Sequence, residues 1–193
     1  MATTDKANEA IVYEFSHPID QVYQALTSRE FLEERANWVQ TDDVEIKEIQ
    51  STAGGGSKAV VDRYVHRNYP RAFKGLFPDR QHMDNVENFV PDGAGGYKLD
   101  YVCDVTGAPV LVEAEGTLKS TGGGCELRAL HTITVKIPMI GKRVEKYVMG
   151  QTKSQYRDQL FYLDLKLDGT SNLLPRDTNK YPVPSTYKDP LNK

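Results

Sequence analysis

Cysteine is scarce: the 193 residues hold two, Cys103 and Cys125. Two thiols make no disulfide framework, and they read as buried thiols in a reducing compartment. No apolar run approaches the roughly 18 residues needed to span a bilayer. The N-terminus lacks the charged, apolar and small-residue order of a secretory signal, so a cytoplasmic protein is expected. Neither sign of charge dominates: 24 Lys and Arg stand against 27 Asp and Glu, a formal net charge of −3. That balance argues against nucleic acid or an anionic membrane as the main partner. The four histidines, at 17, 66, 82 and 131, have no zinc-type spacing, and CxxC is absent. "AGGGS" (Ala53 to Ser57) and "TGGG" (Thr121 to Gly124) lack the Lys-Ser/Thr and the strand–helix context of a phosphate loop. There is no G-x-S-x-G elbow. No metal and no cofactor is expected.

What is there is a globular composition, with 39% hydrophobic and 26% charged residues, and length for one domain with a core. Residues 1–10 read as a flexible N-terminus and 11–168 as the domain. Ile11, Tyr13 and Phe15 alternate as in a strand. Pro18 and Asp20 then open a short helix, with Ile19, Val22, Tyr23 and Leu26 at helical spacing. "TSRE" reads as a capping box with Thr27 as N-cap and Glu30 as its partner, starting a second short helix. From Asp42 to Val135, β-rich runs are separated by glycine-containing turns, the pattern of an antiparallel meander. The stretch from Asn68 to Arg80 is irregular, and its Phe73, Leu76 and Phe77 suit either a lid or packed core. A long helix follows, from about Lys142 to Leu167. Val144, Val148, Leu160 and Leu163 make its apolar stripe, and Lys142, Lys146, Lys153, Arg157 and Asp164 its wet face. From 169 to 193 nothing is periodic, and four of the ten prolines fall there. That composition predicts a mobile tail, or a strap able to engage a protein partner.

A curved antiparallel sheet needs its concave face covered, and only the long helix is large enough. The order of elements resembles the START-like helix-grip superfamily, also called SRPBCC, of polyketide cyclases, pollen-allergen proteins and lipid-transfer domains. Three stretches resemble in particular the bacterial family called domain of unknown function 2505: "FSHPIDQVYQALTSREFLEER", "VEAEGTLKS" and "VKIPMIGKRVEKYV", the last with Pro138, Gly141 and Glu145. The likeness runs from Ile11 to Leu167. It implies an α+β helix-grip fold: a curved antiparallel sheet of six to seven strands, two short helices after the first strand, and a long C-terminal helix across the sheet. It also implies a cavity between sheet and helix.

Candidate residues for that cavity are few. Gln151, Thr152 and Gln155 interrupt the stripe of the long helix; the glutamines face either the cavity or the margin of the stripe. One face of "YKLDYVCDV" presents Tyr97, Leu99, Tyr101 and Cys103, and one face of "CELRALHTITV" presents Leu127, Ala129, His131, Ile133 and Val135. Tyr101 and His131 are polar handles on these faces; each is a hydrogen-bonded core residue, a ligand contact or a general acid/base. "VVDRYVHR" has mixed faces, so either Tyr64 and His66 or Arg63 and Val65 point inward. Glu113 and Glu115 alternate with Val112 and Ala114 and are expected in solvent. The expected function is binding of a small hydrophobic or amphipathic molecule, such as a lipid, isoprenoid or polyketide-like compound, by Tyr101, His131, Gln151, Gln155, Tyr64 and His66. The alternatives are a cyclase, dehydratase or hydrolase using the same cavity, and an interaction domain acting through the tail.

Overall fold

A computed structural model describes residues 7–39, 41–66, 70–73 and 75–169. The proposed tail, 169–193, lies almost wholly outside the described residues, and so does part of the stretch from 68 to 80. The chain runs β1 (Ala7–Phe15), α1 (Ile19–Leu26), α2 (Arg29–Trp38), β2 (Asp43–Thr52), β3 (Gly56–His66), β4 (Arg80–Pro91), β5 (Tyr97–Thr106), β6 (Val110–Thr121), β7 (Gly124–Val135) and α3 (Gly141–Leu167), with a 3₁₀ turn at Arg71–Phe73 before β4. The strands form one seven-stranded antiparallel sheet in the order β1-β7-β6-β5-β4-β3-β2. Strands β2 to β7 are consecutive hairpins, as the glycine turns predict. Strand β1 pairs with β7 at one edge, and β2 is the other edge. The helix pair α1–α2 therefore carries the chain from one edge of the sheet to the other. This is the helix-grip architecture.

Alternation along the strands decides the core. Ile11 and Phe15, Val61 and Val65, Leu99 and Cys103, Val112 and Ala114, and Leu127, Ala129 and Ile133 are all buried on the concave face. Helix α3 divides this core in two. Its C-terminal half packs Leu160, Tyr162 and Leu163 with Phe31 and Trp38 of α2, Tyr162 lying 4.8 Å from the Trp38 ring. Its N-terminal half packs Val144 and Met149 with Val65, Phe73, Phe77 and Val135. Phe73 and Phe77 are thus core, and the Phe73 ring meets the Tyr147 ring edge-on at 5.7 Å. Buried Glu145 accepts the Val135 backbone N–H at 3.2 Å, tying the first turn of α3 to the end of β7.

Three sequence expectations need correction. The cap of α2 is Ser28, whose hydroxyl accepts the Phe31 N–H at 3.1 Å. Thr27 instead ends α1, its hydroxyl donating to the Tyr23 carbonyl at 2.9 Å. The two helices are so close that the residue after the first C-cap becomes the second N-cap. Asp164 is not on a wet face: it is half-buried, accepts the Tyr13 hydroxyl at 3.3 Å and stands 3.9 Å from His17. Burial raises its pKa and the Asp168 charge adds to this. The last turns of α3 pack against β1, which a helical wheel does not register. Tyr64, the third, faces away from the cavity it was expected to line.

Candidate functional site

Between the two halves of the core, under the middle of α3, the sheet face turns polar. Thr152, Gln155, Tyr156 and Gln159 project from α3 at positions i, i+3, i+4 and i+7 and line a cavity of about 50 Å³. Strands β3, β4 and β5 contribute Arg63, Asn85, Glu87, Tyr101 and Cys103, β7 contributes His131, and α2 contributes Arg35. Two smaller voids adjoin it. One, of about 10 Å³, shares Arg35, Glu87, Tyr101, His131, Tyr156 and Gln159 with the central cavity and runs towards Phe31, Phe89 and Leu160. The other, of about 20 Å³, shares Met83, Val112 and Thr152 and runs towards Val105, Val110 and Tyr147.

The polar groups of the wall are mostly committed to one another. The Tyr101 hydroxyl donates to Asn85 Oδ1 at 2.7 Å. Asn85 Nδ2 donates to the carbonyls of Val61 at 3.0 Å and Met83 at 3.2 Å. Arg35 donates through Nη1 (3.2 Å) and Nη2 to the two oxygens of Glu87, bridging α2 and β4. Both partners are nearly dry, with side chains 12% and 11% exposed. Burial holds the Tyr101 phenol well above its ordinary pKa, and burial does the same for Tyr156. His131 is 1% exposed, and its ring meets that of Tyr156 edge-on at 4.9 Å. Burial lowers its pKa to about 4, the Ala129 carbonyl opposing this in part. Nδ1 forms no hydrogen bond of good geometry, and at neutral pH the ring is uncharged.

Of the residues expected from sequence, Tyr101, His131 and Gln155 line the central cavity, and Thr152 lines it with them. Gln151 is half-buried and does not line it. In "VVDRYVHR" it is Val61, Arg63 and Val65 that face inward, since Val61 and Val65 are buried core. Tyr64 is on the convex face, where its ring stacks on His82 at 4.7 Å and Arg80 lies 4.1 Å above it. It is no cavity residue. His66 ends β3, its backbone paired with Arg80, and its side chain lies outside what the structure describes. Sequence reasoning did not reach Arg35, Asn85, Glu87, Tyr156 and Gln159. Signals existed: Met83, Asn85, Glu87 and Phe89 share one face of β4, polar in the middle and apolar at both ends, and Gln155–Gln159 is one helical step.

Strand register also brings Asp62, His82 and Asp84 together on the convex face, with potential ligand atoms within 4.8 Å of one another. No spacing along the chain foretold this, because the contacts cross β3 and β4. The Lys47 ammonium already stands 3.5 Å from Asp62. Glu113 and Glu115 lie on the same outer face of the sheet, opposite to buried Val112 and Ala114. No described helix is long and apolar enough to cross a membrane.

With fold and cavity in view, the class is a protein of helix-grip fold with an internal cavity under its long helix. The family model for "Protein of unknown function (DUF2505)" matches residues 11–163, and the chain belongs to that family. Solved structures share the fold. A protein from Arthrobacter aurescens superposes with a TM-score of 0.57 at 14% identity, over 90% of this chain and 93% of its own. Ara h 8.0201 gives 0.51 at 12% identity, over 82% and 97%. The di-domain ARO/CYC StfQ from the steffimycin biosynthetic pathway gives 0.53 at 14% identity, over 86% of this chain and 52% of its own. No curated protein matches the chain.

Proposed function

We propose that this protein binds a small amphipathic molecule, with a polar group in the central cavity and apolar parts in the adjoining voids. The observation that carries the reading is the string of three voids beneath α3, polar in the middle and apolar at both ends. A buried polar wall is costly unless satisfied by neighbours, water or a ligand, and a packed core has no use for it. As it stands, the central cavity of about 50 Å³ has room for a few waters. Sites for small organic ligands run to roughly 300–1,000 Å³, so occupancy requires the partitions to move. These are side chains: Tyr156 and Gln159 towards one void, Met83 and Thr152 towards the other. The ends of α3 are anchored in the two halves of the core, so opening falls to its middle, where the Lys153–Glu9 pair to β1 would have to give.

The test combines native mass spectrometry of the purified protein, extraction of anything released, and thermal shift with a panel of lipids and isoprenoids. A retained or stabilising amphiphile is expected, lost in Val112→Phe and Thr152→Leu, which fill the cavity while leaving the rest of the core in place. A reproducibly empty protein that no member of the panel stabilises would overturn the reading.

A further inference from the structure

The charges of the cavity wall do not balance. Two arginines, Arg35 and Arg63, and a single carboxylate, Glu87, line it. Both oxygens of Glu87 are taken by Arg35. Arg63 stands on β3 between buried Val61 and Val65, a position whose neighbours call for an apolar side chain. Tyr101, Cys103 and Glu87 are the groups around its guanidinium. No carboxylate of the described residues stands within ion-pair distance of it, and its Nε is buried with no hydrogen-bond partner. Of the other titratable groups facing the space, Tyr101, Cys103, His131 and Tyr156, His131 is uncharged at neutral pH and burial raises the pKa of both phenols. The Tyr101 hydroxyl hydrogen and both Asn85 amide hydrogens are already donated. Arg63 therefore leaves one net positive charge on the wall of the cavity. A guanidinium in that position is a liability for the empty protein, since the one carboxylate near it, Glu87, is already paired with Arg35.

We infer that the ligand is a monocarboxylate with an apolar body, and that Arg63 pairs with its carboxylate in the central cavity. The inference rests on the cavity reading above and narrows it. One surplus positive charge matches one negative charge; a dianion would reverse the imbalance. The planar fork of a guanidinium matches a carboxylate oxygen for oxygen. The space beside Arg63 is of head-group size, and the voids on either side add apolar walls suited to a chain or ring, Phe31, Phe89 and Leu160 on one side and Val105 and Val110 on the other.

The experiment compares dodecanoate with dodecanol, each below its micelle concentration, by calorimetry at pH 7.5 on wild type, Arg63→Met and Arg63→Lys. The wild type should bind dodecanoate about tenfold to a hundredfold more tightly than dodecanol, the range for a charge-assisted pair. In Arg63→Met that preference should vanish with dodecanol binding retained, and the ligand-free midpoint of thermal unfolding should rise. Arg63→Lys should keep part of the preference. Should Arg63→Met not fold, the wild-type ratio and Arg63→Lys decide. Equal binding of the two compounds by the wild type, or a preference that survives Arg63→Met, overturns the carboxylate and leaves the cavity reading standing. Binding of neither, with no other amphiphile bound, overturns both.

Discussion

At the scale of the residue, His131 shows how burial sets chemistry. A histidine with a folded pKa of about 4 against 6.5 in the unfolded chain is neutral in the native state throughout the neutral range. Between those values the unfolded chain binds a proton that the folded protein does not, so stability falls as pH falls through this window and is fully present above it. The loss approaches about 3 kcal/mol at the bottom of the window. Asp164 acts in the opposite sense, because its raised pKa lets the folded state take up a proton first. His131→Gln isolates the histidine. Urea unfolding at a series of pH values from 7 to 4.5 should give a shallower slope of stability against pH in the variant. Equal slopes would mean that the ring is solvated in the folded state.

At the scale of the element, the junction of α1 and α2 and the middle of α3 carry the lesson. Ser28 satisfies an N–H of the first turn of α2 that has no partner within the helix. Ser28→Ala should cost about 1 kcal/mol, and Thr27→Ala should stay within about 0.5 kcal/mol, both read from chemical denaturation midpoints. The reverse order would restore the capping box that the sequence alone suggests. Helix α3 is held at its C-terminal half by the Tyr162 hydroxyl donating to Glu34 at 2.9 Å and by Lys166 reaching Glu34 and Glu30, each at 2.7 Å. Its other end is held by Glu145 on β7. The glutamines between these anchors are not a flaw in the stripe; Gln155 and Gln159 form the wall of a cavity.

At the scale of the whole molecule, a seven-stranded sheet gripping one helix leaves a space that is small at rest. A central cavity of about 50 Å³ is below what a dodecanoate-sized ligand occupies, so the proposed binding requires opening. In stopped-flow mixing, the observed rate should level off as ligand concentration rises, at the rate of opening. Val112→Phe, which thickens a partition, should abolish the signal rather than slow it. A rate that climbs linearly to the diffusion range would mean that the space stands open in solution.

The sequence by itself determined the elements and their order. Alternation in the strands, glycine at the turns and one long periodic stretch are local properties, and local sterics and hydrophobic burial read them directly. It also placed Tyr101 and His131 on inward faces, because period 2 assigns faces within a strand, while it left Gln155 between the cavity and the margin of the helical stripe. Only the tertiary structure decided which inward faces meet. That Arg35 reaches Glu87 across the space, that Asn85 satisfies Tyr101, that Arg63 turns in while Tyr64 turns out, and that Asp164 folds under β1 all depend on register between strands and on the path of α3. Those contacts join residues up to 151 positions apart. No local periodicity encodes such pairings; the sheet and the helix set them when they close on one another.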